Sequence, residues 1–174
     1  MPIFNAIAAC NEQGVIGVDG KIPWHLPLDF KWFKRNTLHR TIVMGRGTFD
    51  SMGGKPLPNR KTIILTRNKQ LKVPEGVELC FDREELKDRS EEVIWVCGGE
   101  QVYWHMLHRC RHVYLTRVKS KNQIYGINFA RFPMYLLEED FVYEGKVFEN
   151  DDMKICRYVN KEDLVKNLSY EWPF

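Results

Sequence analysis

The chain has 174 residues, the length of one domain and enough to bury a core. A hydrophobic fraction of 44% excludes a disordered chain, and 28% charged residues of both signs, summing to +3, exclude the concentrated basic stripe of a nucleic-acid binder. No apolar run approaches the roughly 18 residues that span a bilayer, so no membrane segment is expected.

Eight short apolar, β-branched runs read as buried strands, and helical patterns lie between several of them. In chain order the first strand is Ile3–Cys10, followed by a helix at Pro27–Asn36, where proline suits the first turn. A strand at Thr41–Met44 leads to a helix at Arg46–Met52, then strands at Thr62–Thr66 and Val77–Phe81. A helix at Arg83–Arg89, a strand at Val93–Cys97, a helix at Glu100–His108 and a strand at Val113–Val118 follow. Strands alternating with helices predict a mainly parallel sheet. The runs Phe141–Phe148 and Met153–Val159, separated by the turn-like Glu149, Asn150, Asp151 and Asp152, predict an antiparallel hairpin. The domain is expected to span residues 1–160, with a loosely docked polar tail at 161–174 that has no assigned role.

Two strand-to-helix junctions carry candidate chemistry. The first is Val43-Met44-Gly45-Arg46-Gly47-Thr48 and the second Cys97-Gly98-Gly99-Glu100-Gln101-Val102-Tyr103. Glycine at a strand end lets backbone approach a ligand, and the helix start behind it offers unpaired N–H groups. Two such junctions in one sheet suit the two phosphates of a dinucleotide. Neither is a G-x-G-x-x-G, and Gly-Gly after a strand is usually only a tight turn. Arg46, and Arg67 after the strand that ends in Leu65 and Thr66, could address a 2′-phosphate, which favours NADPH over NADH.

The segment from Gly20 to Lys34 is the most informative. Pro23 and Pro27 bracket a stiff loop leading into a helix on which Asp29, Phe30 and Phe33 share a face. A carboxylate in an apolar wall can accept two parallel hydrogen bonds from a flat amidine-like edge, such as that of a pterin. Burial raises such an acid's pKa, and a hydroxyl donor lowers it. The bland alternative is an ordinary first-turn acid.

Five cysteines, Cys10, Cys80, Cys97, Cys110 and Cys156, include no C-x-x-C, which favours free thiols in a reducing compartment. Met1–Asn11 lacks the features of a signal peptide, so a cytoplasmic location is expected. His105, His108, Cys110 and His112 have metal-like spacing. The three histidines also follow helical spacing, with Arg109 and Arg111 between them, and read as a solvated face; no metal is expected.

The chain resembles the dihydrofolate reductases from roughly Ile3 to Val159. The matching stretches are Gly14-Val15-Ile16-Gly17, Ile22 through Asp29, Trp32 through Thr37, Val43 through Thr48, Pro56 through Leu65, Gly98-Gly99 and Tyr114-Leu115-Thr116. The resemblance implies a single-domain, three-layer α/β fold: a central, mostly parallel eight-stranded sheet ending in an antiparallel C-terminal hairpin. It implies NADPH-dependent reduction of 7,8-dihydrofolate to tetrahydrofolate, a step of one-carbon metabolism, by hydride transfer to C6 and protonation at N5. Asp29 would bind the pterin edge and support protonation, Trp24 would hold a water near the ring, and Thr116 would hydrogen-bond Asp29. Ile7 and Cys97 would present carbonyls to the pteridine, Phe30, Phe33, Met52 and Leu57 would wall the p-aminobenzoyl group, and Arg60 would pair with the α-carboxylate of the glutamate tail. Ala8, Ala9, Ile16, Gly17, Ile22, Gly45, Arg46, Thr48, Leu65, Thr66, Arg67, Gly98, Gly99, Gln101, Val102 and Tyr103 would hold NADPH, with Gly17–Ile22 closing over the nicotinamide. Antifolate inhibitors would compete in the pterin pocket, and a monomer is expected.

Three departures stand out. Cys97 replaces the usual aliphatic residue, which could make the pocket thiol-sensitive. Gly47 follows Arg46 where a basic residue is common, predicting weaker 2′-phosphate affinity. Ile127–Pro133 replaces the family's Gly-Asp-Thr-x-Phe-Pro, so the usual loop-to-loop hydrogen bonds are expected to be lost, and Lys119–Phe132 is a few residues longer than usual. Two other readings stay open. One is the pyrimidine reductase of riboflavin synthesis, against which Asp29 and Arg60 speak. The other is a catalytically silent ligand-binding relative, supported by the altered loop.

Overall fold

A computed structural model describes residues 1–119 and 123–170. Positions 120–122, within the stretch expected to be longer than usual, and 171–174 of the tail lie outside the described residues.

Ten strands and five α-helices are present among the described residues. The strands are β1 Ile3–Cys10, β2 Val15–Val18, β3 Thr41–Met44, β4 Lys61–Leu65, β5 Val77–Cys80, β6 Val93–Val96, β7 Cys110–Val118, β8 Phe129–Arg131, β9 Phe141–Glu149 and β10 Met153–Asn160. The helices are α1 Pro27–Thr37, α2 Arg46–Ser51, α3 Glu100–Met106, α4 Met134–Asp140 and α5 Lys161–Tyr170.

Eight strands form one sheet in the order β5-β4-β3-β6-β1-β7-β10-β9. It is parallel from β5 to β7, and β10 runs antiparallel to both β7 and β9. The turn between β9 and β10 is shaped by Asn150, whose Oδ1 accepts from the amides of Asp152 and Met153 at 2.9 Å each. β2 and β8 form a separate two-stranded antiparallel sheet. At four and three residues they are too short to leave a periodic signal in the sequence.

The central strands are apolar on both faces because both faces are covered. Phe4, Ala6, Val43 and Ile63 face a cluster completed by Val102, Tyr103 and Met106 of α3 and Leu137 of α4. Their neighbours Ile7, Ile42 and Ile64 face the opposite cluster, with Phe49 of α2 and Trp32 and Phe33 of α1. The molecule therefore has the three layers expected.

Two local expectations are corrected. Arg83–Asp88 is a 3-10 segment rather than an α-helix, opened by the Asp82 carboxylate accepting from the Glu84 amide at 2.9 Å. The helix expected to reach His108 stops at Met106, tightens into a 3-10 turn at Leu107–Arg109, and gives way to β7 at Cys110. His105, His108 and His112 thus lie on a helix, a 3-10 turn and a strand and share no helical face. The segment after residue 160, for which no element was expected, is helical over Lys161–Tyr170, and Asn160 starts it by accepting from the Glu162 amide at 3.0 Å.

Candidate active site

A cleft of about 1270 Å³ opens past the carboxyl ends of β3, β4, β5 and β6, where α/β sheets bind ligands. The two glycine junctions meet on one side of it. The Gly45 amide donates to the Gly98 carbonyl at 2.8 Å. A Cβ on Gly45 would come within 3.2 Å of Val102, and one on Gly99 within 3.0 Å of Thr48 Oγ1. Gly98 has φ +105°, and a Cβ there would press on the Tyr103 ring at 3.1–3.3 Å. The Gly98–Gly99 peptide is cis. Glycine is required here for close approach, not only for a turn.

α2 and α3 each begin at a glycine that carries no side-chain cap. Both helices are short, so what they offer a ligand is donor groups rather than a large dipole. Arg46, half-exposed and 3.4 Å from Asp50, and Arg67 line the same region with Thr48 and Thr66. Uncapped donors, open backbone at Gly47 and two guanidinium groups suit a phosphorylated dinucleotide.

On the other side, α1 brings Asp29, Phe30 and Phe33 to the cleft. Pro27 occupies the first helical turn and sets the direction in which they project. The Thr116 hydroxyl, fully buried on β7, donates to Asp29 Oδ1 at 2.6 Å. Burial of the Asp29 carboxyl pushes its pKa above the ordinary 3.8, and the Thr116 hydrogen bond offsets part of that rise. Arg60 is set by its Nε donating to the Pro58 carbonyl at 3.0 Å and its Nη1 to Thr37 Oγ1 at 3.3 Å. Burial pushes the pKa of the Cys97 thiol far up, which favours the protonated thiol. The Tyr103 hydroxyl, facing the first core cluster, donates to the Ile7 carbonyl at 2.7 Å.

Every residue expected to serve substrate, cofactor or catalysis lines this one cleft except Thr116, which reaches it through Asp29. Phe81, Asp82, Arg83, His105 and Lys34 line it as well and were missed. Phe81 to Arg83 directly follow β5, so the rule that ligands gather at carboxyl ends of strands would have found them. His105 is exposed, as its solvated reading expected, yet it borders the cleft, and its carbonyl accepts from Arg83 Nη1 at 2.9 Å. Among the described residues no group of side chains is arranged to hold a metal ion.

The expected loss of loop-to-loop hydrogen bonds is also corrected. Val15, Gly17 and Val18 of β2 pair with Arg131, Ala130 and Phe129 of β8. Beyond that pairing, Asp19 Oδ1 accepts from the Asn128 amide at 2.8 Å, and both of its carboxylate oxygens lie 3.3 Å from the Ile127 amide. The Asp19 amide donates to the Asn128 carbonyl at 2.8 Å. The missing acid in Ile127–Pro133 is matched by one on the opposite segment.

A family model for dihydrofolate reductase matches residues 3–155. Dihydrofolate reductase type 3 of Salmonella typhimurium is 40% identical over 138 residues, covering 77% of this chain and 80% of that protein. The dihydrofolate reductase of Staphylococcus aureus is 36% identical over 151 residues, covering 85% and 91%. In structure the chain is similar to a dihydrofolate reductase from Enterococcus faecalis complexed with NADP(H) and RAB-propyl. The TM-score is 0.78 at 34% identity, over 91% of this chain and 96% of that one. No helix among the described residues is long and apolar enough to cross a membrane.

Proposed function

The chain belongs to the dihydrofolate reductase family, and on that premise we propose that it reduces 7,8-dihydrofolate to 5,6,7,8-tetrahydrofolate with NADPH. The observation that carries this reading is Asp29: a partly buried carboxyl, gripped by Thr116 at 2.6 Å, in the same cleft as the paired glycine junctions.

Bound NADPH supplies the hydride that pterin C6 accepts. Asp29 accepts from the N3–H and 2-amino group of the pterin and so fixes the ring's orientation. Its raised pKa eases proton uptake at the pterin's N3 edge, and Trp24, which lines the cleft, holds the water through which a proton passes to N5. Thr116 orients the carboxylate and limits the rise of its pKa. Ile7 and Cys97 contribute backbone carbonyls, Phe30, Phe33, Met52 and Leu57 enclose the p-aminobenzoyl group, and Arg60 pairs with the glutamate α-carboxylate. Gly45, Thr48, Gly98, Gly99 and Gln101 bind the cofactor's phosphates. Arg46 and Arg67 recognise the 2′-phosphate, with reduced strength because Gly47 adds no further cation beside Arg46. The segment Gly17–Ile22 excludes water from the nicotinamide side. The enzyme acts as a cytoplasmic monomer, and diaminopyrimidine antifolates compete with dihydrofolate for Asp29.

The silent-relative reading drew on the altered 127–133 segment. That segment remains bonded to the Gly17–Ile22 side through Asp19, so the observation no longer favours it. The test is loss of NADPH absorbance with dihydrofolate, repeated with the Asp29→Asn protein and with the pyrimidine substrate of riboflavin synthesis. Turnover with dihydrofolate that collapses in Asp29→Asn, while NADPH affinity changes little, is the expected result. Turnover with the pyrimidine alone would replace the proposal, as would full activity of Asp29→Asn.

A further inference from the structure

We infer that Asp19 is a positioning residue, a latch that fixes the wall of the cleft formed by residues 17–22. The inference rests on the proposed reaction only for its effect on turnover. Val18 and Lys21 exchange two backbone hydrogen bonds, at 2.8 and 3.0 Å, around Asp19 (φ +48°) and Gly20 (φ +77°). Two left-handed central residues make this a two-residue hairpin turn of the type that matches strand twist, and Asp-Gly is a favoured sequence for it.

Such a hairpin, at the end of a four-residue strand, is marginal without support. Its support is the 126–131 segment. Gly17, Gly20, Lys21 and Ile22 line the cleft from the hairpin, and Asn128 and Ala130 line it from the supporting segment. Asp19 joins these two halves beyond the last strand pair. Its carboxylate faces the Ile127 and Asn128 amides, its own amide bonds the Asn128 carbonyl, and a Cβ on Gly126 would fall 2.0 Å from Val18 and 2.9 Å from Asp19. Carboxylate-to-amide bonds are stronger than neutral ones. Because the latch reads backbone amides, it places no demand on the side chains at 127 and 128. That explains how this segment departs from the family's acid-bearing sequence while the wall keeps its place.

The clean test is Asp19→Gly, since a Gly-Gly turn retains the left-handed geometry while both acceptor oxygens are lost. Asp19→Asn keeps the turn and one acceptor for the Asn128 amide. In the full chain, amide hydrogen exchange at Ile127 and Asn128 should quicken on the order of tenfold in Asp19→Gly, with Tm within about 2 °C of the parent. The single-turnover hydride step should slow by a similar factor, and Asp19→Asn should restore most of both. Unchanged exchange would overturn the latch. A rate within twofold of the parent would overturn its positioning role. So would a slowing accompanied by a fall in Tm that asparagine does not repair, since that pattern marks a structural residue alone. If the parent chain reduces no dihydrofolate, the proposed reaction fails and the exchange result alone decides the latch.

Discussion

Replacing Thr116 by valine removes a hydroxyl and leaves the shape of a fully buried side chain nearly unchanged. The hydroxyl donates to Asp29 Oδ1 at 2.6 Å, a short bond to a group that carries charge when ionised. Hydrogen bonds to charged groups contribute about 1.5–3 kcal/mol, so without this one the Asp29 carboxyl should be harder to ionise and its pKa should rise further. The direction follows because the bond favours the ionised carboxylate. The assay is a carbon NMR titration of the Asp29 carboxyl in the parent and in Thr116→Val. The parent midpoint should lie above the ordinary 3.8, as burial outweighs the hydrogen bond, and the variant midpoint should lie higher still. The high-pH limb of the rate profile should move up with it. A variant midpoint that stays put or falls would refute the assignment of Thr116 as the residue that tunes Asp29.

Three further outcomes follow from the same structure. The Asp29 pKa is higher in the folded than in the unfolded chain, so its contribution to stability is complete below about pH 3.8 and is lost as pH rises through the folded value. Asp29→Asn should therefore raise Tm at pH 7, with the gap closing near pH 4, even as it abolishes turnover; calorimetry across pH checks this. Glu91 has the opposite sign: Arg89 foremost, and Lys61, hold its carboxyl down to about 2 from 4.5, so Glu91→Gln should lower Tm at pH 7 and lose its effect as pH falls from 4.5 toward 2. Arg67→Leu removes a cation beside Thr66, and the preference for NADPH over NADH should drop on the order of tenfold in kcat/KM, with dihydrofolate KM unchanged.

The site was legible where its chemistry is local in the chain. Gly45 through Thr48, Gly98 through Tyr103 and Trp24 through Phe33 are contiguous stretches in which residue type and neighbour together specify a turn, a helix start or an apolar wall. Thr116 was reached only through the resemblance, because a threonine on a strand carries no distinguishing pattern of its own. Phe81, Arg83 and His105 escaped because they are gathered by the sheet order, which places the end of β5 and one side of α3 at the cleft. The histidine periodicity misled for a related reason. Spacing of three and then four residues, from His105 to His108 to His112, runs across Cys110, where pairing with β1 overrides helical continuation. The latch was obscured because the acid was sought on one segment, whereas the hydrogen bonds require only that either segment carry it.

The place of β1 in the sheet bears on how the chain is made. Ile3 pairs with Val93, and Ala6 with both Val96 and Val113, so β1 lies at the centre of the finished sheet and meets neighbours made about ninety positions or more after it. At bacterial or eukaryotic speeds of synthesis that interval lasts roughly 5–20 s. For that time an eight-residue, largely apolar ribbon has no native mate in the sheet, which makes nascent β1 a natural client for ribosome-associated chaperones.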